Sequence, residues 1–373
     1  MTNRAPWPAF EQEGLQVRSR PPRSPDCALA CATLPWRAKD GFMSQVARFL
    51  MIAWLALAAA PVCAQTVGFA TRTLDGAPAP LTIAVWYPSS GASSSKTVGQ
   101  VMQDLATDGP VSGRHLPLIV ISHGTGGDDT AYADTAYDLA RNGFVVVAPT
   151  HIGDNPSDHS RALDIEGRVA QIRRVIDFMI SDWGAGAIDP DRVGAFGHSS
   201  GAMSVLIAAG GNPDLSLLGP HCAQGRAFFD CDLIRGGGRN PADFASAYPA
   251  RFPHDPRLRA IVIAAPALGF TFTTQGLAAV RMPVQLWRAG DDELLPSPFY
   301  AEPVRDALPL APDFHVAAHA LHMDFTAPCR LQGDSRSQPS CASQEGFDRA
   351  AFHIAFNKTV AAFFKRALST GGG

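Results

Sequence analysis

Short β-branched runs alternate with stretches of helical periodicity along most of the chain, and that alternation excludes most folds. "GFVVVAPT" (143–150) is apolar throughout, as a strand is when both of its faces are covered. "LTIAVWYP" (81–88), "LPLIVIS" (116–122), "VGAFG" (193–197), "LRAIVIAAPA" (258–267), "MPVQLWRAG" (282–290) and "DFHVAA" (313–318) read as further strands. Helical segments lie between them: one running to about Asn142, one carrying Val169, Ile172, Val175, Ile176 and Met179 at helical spacing, and shorter ones near 275–281 and 297–307. A last helix runs through 347–368, "SSGASSSKTVGQ" (89–100) reads as a polar loop, and "GAIDPDR" (186–192) as a turn. Strands alternating with helices imply an α/β class with a mainly parallel central sheet and helices on both faces.

Two regions break the rhythm. Residues 209–257 carry glycines, prolines and two cysteines but few long apolar runs, and are expected to form a cap-like insertion over the carboxyl edge of the sheet, where open α/β sheets bind ligands. At the other end, "MSQVARFLMIAWLALAAAPVCAQ" (43–65) has an arginine, an apolar run from Phe49 to about Val62 and small residues before Gln65. That pattern predicts a signal peptide over 43–64 with cleavage after Ala64, a Met43 start, residues 1–42 as a start-site artefact, and a mature domain over 65–373 in the periplasm or medium. The apolar run is short for a membrane span, so no stable insertion is expected after cleavage.

The expected mature chain keeps Cys222, Cys231, Cys329 and Cys341. Four cysteines in an oxidising compartment allow three connectivities, of which the two local loops, Cys222–Cys231 and Cys329–Cys341, are favoured. A zinc site is the competing reading, with His221 the only adjacent donor and no C-x-x-C pair in the chain. Charge excludes another class: 31 Lys and Arg nearly balance 34 Asp and Glu without a basic cluster, so no nucleic-acid partner is expected.

"VGAFGHSSGA" (193–202) holds the chemistry. Gly197-His198-Ser199-Ser200-Gly201 fits G-x-S-x-G, and it lies between a strand and a helix start, where that pattern presents a nucleophilic serine. A serine hydroxyl needs a base, and the base an orienting group. "RAGDDELLP" (288–296) follows a strand with Asp291 and Asp292, and "HALHMDF" (319–325) follows the last strand with His319 and His322. The order Ser199, Asp292, His322 is that of an α/β-hydrolase. His315 lies inside a strand, Asp324 is an alternative acid, and His198 is directed away from Ser199 as its sequence neighbour. "THIGDNPSDHS" (150–160) is a polar loop at the same edge, which nominates His151 and Asp154 as substrate-binding residues.

Four ordered stretches, "VISHGTGG" (120–127), "DRVGAFGHSSG" (191–201), "VQLWRAGDDELLP" (284–296) and "HMDFTAPC" (322–329), resemble the α/β-hydrolases that join dienelactone-hydrolase-like proteins with bacterial relatives of platelet-activating-factor acetylhydrolase. The resemblance implies Ser199 as nucleophile, Asp292, four residues before Pro296, as acid, and His322, before "DF", as base. It also implies an oxyanion hole made by the backbone N–H groups of Thr125 and Ser200. Dienelactone hydrolases proper carry cysteine where this chain has Ser199. In the animal acetylhydrolases the acid follows the preceding strand, where this chain has "AAPALGF" (264–270) without a carboxylate.

The expected activity is hydrolysis of carboxylic esters, with a small-molecule or lipid ester of short to medium acyl length as substrate and no metal or organic cofactor, since H-E-x-x-H, Walker and dinucleotide motifs are missing from the sequence. A serine amidase or peptidase on the same scaffold and an idle binding protein are the alternative readings.

Overall fold

The computed structural model describes residues 66–184, 186–226, 228–329 and 339–369. The segments 1–42 and 43–64, with the signal reading, lie outside them. Among the described residues the strands are β1 (Thr66–Leu74), β2 (Leu81–Ser89), β3 (Ser94–Val98), β4 (Val101–Thr107), β5 (Leu116–Ser122), β6 (Val145–Pro149), β7 (Ile188–His198), β8 (Leu258–Ala264), β9 (Val284–Ala289) and β10 (Asp313–Ala317). They form one sheet in the order β10-β9-β8-β7-β5-β6-β2-β1-β4-β3. From β6 to β10 every neighbouring pair is parallel, whereas β2 joins β6 and β1 antiparallel.

The helices are α1 (Ala133–Arg141), α2 (Ile165–Ser181), α3 (Ser200–Ala208), α4 (Leu218–Cys222), α5 (Phe229–Gly236), α6 (Thr274–Leu277), α7 (Ala301–Ala307) and α8 (Arg349–Ala367). The period of two along the central strands divides the core. Leu118, Val120, Val145 and Val147 face a cluster that includes Val169, Ile172, Val175 and Ile176 of α2, while Ile119, Ile121, Val146 and Ala148 face one that includes Leu139 of α1 and Phe356, Val360 and Phe364 of α8. Helices therefore cover both faces, and the strands in between are apolar throughout because neither face meets water.

The structure differs from the sequence reading at the near end of the sheet, where β1 and β4 are strands the reading does not contain, and at two further places. The 89–100 loop contains β3, which pairs with β4 as a hairpin; Ser94, Ser95, Lys96 and Thr97 are polar and exposed because it is the sheet's edge, and Val98 alone is buried. The turn expected over 186–192 ends early, since β7 already pairs with β5 from Ile188 across an irregular register.

Disulfides join Cys222 to Cys231 and Cys329 to Cys341. The first ties α4 to α5 inside the insertion. His221 stacks between Phe228 and Phe270 at 4.0 and 3.7 Å, and the Tyr248 hydroxyl donates to the Leu163 carbonyl. The insertion thus rests on segments that follow β6 and β8, at the carboxyl ends of the strands.

Candidate active site

Ser199 is the single residue between β7 and α3, held at φ 56° and ψ −122°. A non-glycine residue in such a conformation is strained, and the surroundings over-determine it. Its N–H donates to Ala264 O at 3.0 Å, and its carbonyl accepts from Ala267 N at 3.0 Å and Met203 N at 3.1 Å. The flanking glycines are steric necessities: a Cβ on Gly197 would lie 2.3 Å from Gly201 O, and one on Gly201 only 1.9 Å from Ser122 O. α3 is buried on all sides, which fixes the turn against the sheet.

Asp292, in the turn after β9, accepts from the N–H groups of Leu294 at 3.0 Å and Leu295 at 2.7 Å through Oδ1. Its Oδ2 accepts from His322 Nδ1 at 2.9 Å, and both side chains are buried. A carboxylate only accepts, so the His322 hydrogen sits on Nδ1 and Nε2 is free to take a proton. Glu293, which sequence reasoning passed over, accepts from the His322 N–H at 2.9 Å and holds the loop that carries the ring.

The competing residues fall elsewhere. His319 and Asp291 face one another across 3.4 Å on the exposed side of the same loops. Asp324 is enclosed, accepting from Leu321 N at 2.7 Å and from Ser343 Oγ, with Arg349 at 3.8 Å, so it braces the loop. His315 stacks on Trp287 at 4.3 Å.

His198 connects the elbow to the His322 loop. Its Nε2 donates to the His322 carbonyl at 3.1 Å, its Nδ1 therefore accepts from the Tyr132 hydroxyl at 2.7 Å, and its ring lies 4.6 Å from that of His322. Burial, reinforced by His322, holds His198 far below the usual histidine range, so it stays neutral and supports the neighbouring ring without competing as a base.

The loop after β5 reaches over Ser199: a Cβ on Gly124 would lie 3.3 Å from Ser199 Cβ, and Thr125 Oγ1 donates to Ser200 Oγ at 3.1 Å. The two expected oxyanion donors thus belong to residues in contact.

His151 and Asp154, expected to bind substrate, are sealed from solvent beneath this loop. His151 accepts from Ser122 Oγ at 2.9 Å and donates to Gln171 Oε1 at 3.1 Å. Asp154 accepts from Gly126 N at 2.8 Å and pairs with Arg168 at 2.5 Å. Their polar atoms are spent on protein, and neither offers one to a ligand. Burial, with the Arg168 charge as the second cause, pushes His123 down to about 3 and His151 well below its usual range, so Arg168 is the cation here.

The zinc reading meets a physical obstacle. His221, Asp230 and Cys231 do converge, but the Cys231 sulfur is bonded to Cys222 and offers no thiolate.

Strand order, elbow and the three edge loops define the α/β-hydrolase fold, with Ser199, His322 and Asp292 carried on one edge of its sheet. Residues 89–164 match the family of platelet-activating factor acetylhydrolase, isoform II; this span includes the loop over Ser199 but ends before Ser199, Asp292 and His322. No curated protein matches the chain in sequence. Among solved structures, a ferulic acid esterase from Streptomyces cinnamoneus is similar with a TM-score of 0.56 and 19% identity over 84% of this chain and 94% of that one. A dienelactone hydrolase from Anabaena variabilis ATCC 29413 aligns with a TM-score of 0.47 and 12% identity over 81% of this chain and 99% of that one.

Proposed function

We propose that the chain hydrolyses carboxylic esters through Ser199, His322 and Asp292. The observation that carries this reading is the coincidence, on one sheet edge, of a serine held at positive φ and a buried histidine whose Nδ1 is committed to a buried carboxylate. His322 Nε2 takes the Ser199 proton as Oγ attacks the ester carbonyl, and Asp292 stabilises the imidazolium. The oxyanion is held by the N–H groups of Thr125 and Ser200. Collapse expels the alcohol, which takes the proton from His322 and leaves an acyl-Ser199. Water, deprotonated by the same imidazole, then releases the acid and restores the serine. Among the described residues Ser199 Oγ has no hydrogen-bond partner, and in unliganded enzymes such bonds tighten only when substrate arrives.

Half-buried apolar side chains on the edge loops, Ile152, Ala267, Phe270, Leu294 and Phe299, favour an uncharged acyl group of short to medium length. The similarity of 89–164 to an acetylhydrolase family supports the same range. Two disulfides favour a protein exported by the 43–64 signal, and among the described residues no helix is long and apolar enough to cross a membrane. The test is turnover of p-nitrophenyl esters from acetyl to long acyl beside matched anilides, by the protein and by Ser199→Ala. Ester turnover that vanishes in the variant is expected; anilide turnover equal to that of the esters would move the assignment to an amidase.

A further inference from the structure

We propose that the buried Arg168–Asp154 ion pair is a positioning device that clamps the oxyanion loop at both ends and ties it to the nucleophile helix. The inference rests on the serine-hydrolase reading above and adds residues that touch neither substrate nor triad. Asp154 and Arg168 have almost no solvent exposure, and the guanidinium meets the carboxylate at 2.5 Å. The free oxygen of Asp154 accepts from Gly126 N at 2.8 Å, while Arg168 Nη2 donates to the His123 carbonyl. Thr125, whose N–H is the proposed donor, lies between those two anchors. Arg168 Nε donates to Ser204 Oγ at 3.2 Å, and that hydroxyl donates to the Ser200 carbonyl at 2.7 Å. One guanidinium therefore spans the loop after β5, the loop after β6 and the first turn of α3, which supplies the second donor.

Stability alone does not account for such a pair. Desolvating two charges offsets most of their attraction, and apolar replacements of similar volume often stabilise. Burial pushes the Arg168 guanidinium down, Asp154 opposes the shift, and arginine remains charged at any pH the fold survives. What the pair supplies is geometry: a planar fork aims separate N–H groups at Asp154, at the His123 carbonyl and at Ser204 Oγ, which a lysine ammonium on a flexible stem does not reproduce. An oxyanion hole acts through donors fixed before the charge develops, so a loosened loop lowers kcat while leaving binding of the neutral ester nearly unchanged.

The test compares Arg168→Met, Arg168→Lys, Asp154→Asn and Ser204→Ala with the parent protein. It measures kcat and KM on one p-nitrophenyl ester and the inhibition constant of an alkyl boronic acid, whose tetrahedral adduct mimics the oxyanion. Losing an oxyanion donor outright costs about 10²- to 10³-fold, so Arg168→Met is expected near the lower figure, Arg168→Lys and Asp154→Asn about tenfold and Ser204→Ala about threefold. In each the KM should stay within about twofold and the boronate should weaken in proportion to kcat. Ser204→Ala leaves both charges paired and serves if the charge variants do not fold. Folded variants that keep parental kcat and boronate affinity, or lose rate only through KM, would overturn the clamp. An inactive parent would instead remove the hydrolase reading on which it rests.

Discussion

Asp154 and Asp292 stand on opposite flanks of Ser199, two strands away on either side, and each is buried with one oxygen on loop N–H groups and the other on a nitrogen partner. The partner makes the difference. Asp154 faces a guanidinium that never gives up its proton, so that pair can only hold shape; Asp292 faces an imidazole, which can gain a proton and lose it within one turnover. On the function proposed above, the same carboxylate geometry serves as scaffold on one side of Ser199 and as machinery on the other. Asp230, in the insertion, sharpens the contrast: its Oδ1 accepts from the Tyr300 hydroxyl at 2.9 Å, but its buried Oδ2 has no partner among the described residues.

The contrast sets the order of expected effects. Asp292→Asn should lower kcat by about 10⁴-fold, because an amide no longer holds the Nδ1–H tautomer, whereas Asp154→Asn should lower it about tenfold; steady-state rates on one ester compare them directly. If the two variants matched, the division into scaffold and machinery would fail.

Asp230 should show its effect in stability and not in rate. Burial raises its carboxyl from the usual 3.8 to about 6, which favours the protonated form in the folded state. The associated stability is complete below pH 3.8 and is lost as the pH rises through 6. Asp230→Asn removes that loss, so its stability relative to the parent should improve by ~2–3 kcal/mol between pH 4 and pH 7.5 in urea denaturation. A difference constant with pH would show that Asp230 does not carry a buried charge.

Tyr132→Phe leaves His198 Nδ1 without its donor, at a cost of about 1–2 kcal/mol in unfolding free energy and a severalfold drop in kcat as the His322 carbonyl loses its firm support. The smallest effect is expected for Asp291→Asn: the Asp291–His319 contact is exposed, and kcat should stay within about twofold. A large loss there would transfer the acid role to Asp291.

What could be read in the sequence follows from how locally each feature is encoded. The parallel half of the sheet was legible because β5 to β8 are apolar runs with covered faces, and the elbow because Gly197 and Gly201 have no room for a side chain. β3 was not, since an exposed edge strand such as "SSKTV" has no apolar face to alternate. His151 and Asp154 misled because a polar loop after a strand looks alike whether it lines a pocket or is sealed under another loop. Arg168 was missed although a signal existed: it falls on the stripe Ile165, Val169, Ile172, Val175, Met179, where α2 packs on the sheet. A charge on a buried stripe requires a buried partner, and Asp154 is that partner.

The central claim is that Ser199 is the nucleophile and that His322 with Asp292 activates it. The most direct measurement is the mass of the intact protein, followed by peptide mapping, after reaction with a p-nitrophenyl alkylphosphonate at neutral pH, on the parent chain, Ser199→Ala and His322→Gln. One adduct on the peptide that contains Ser199, absent in Ser199→Ala and formed at least 10³-fold more slowly in His322→Gln, is the outcome expected here. An adduct on another residue, or labelling that proceeds unchanged without His322, would contradict it.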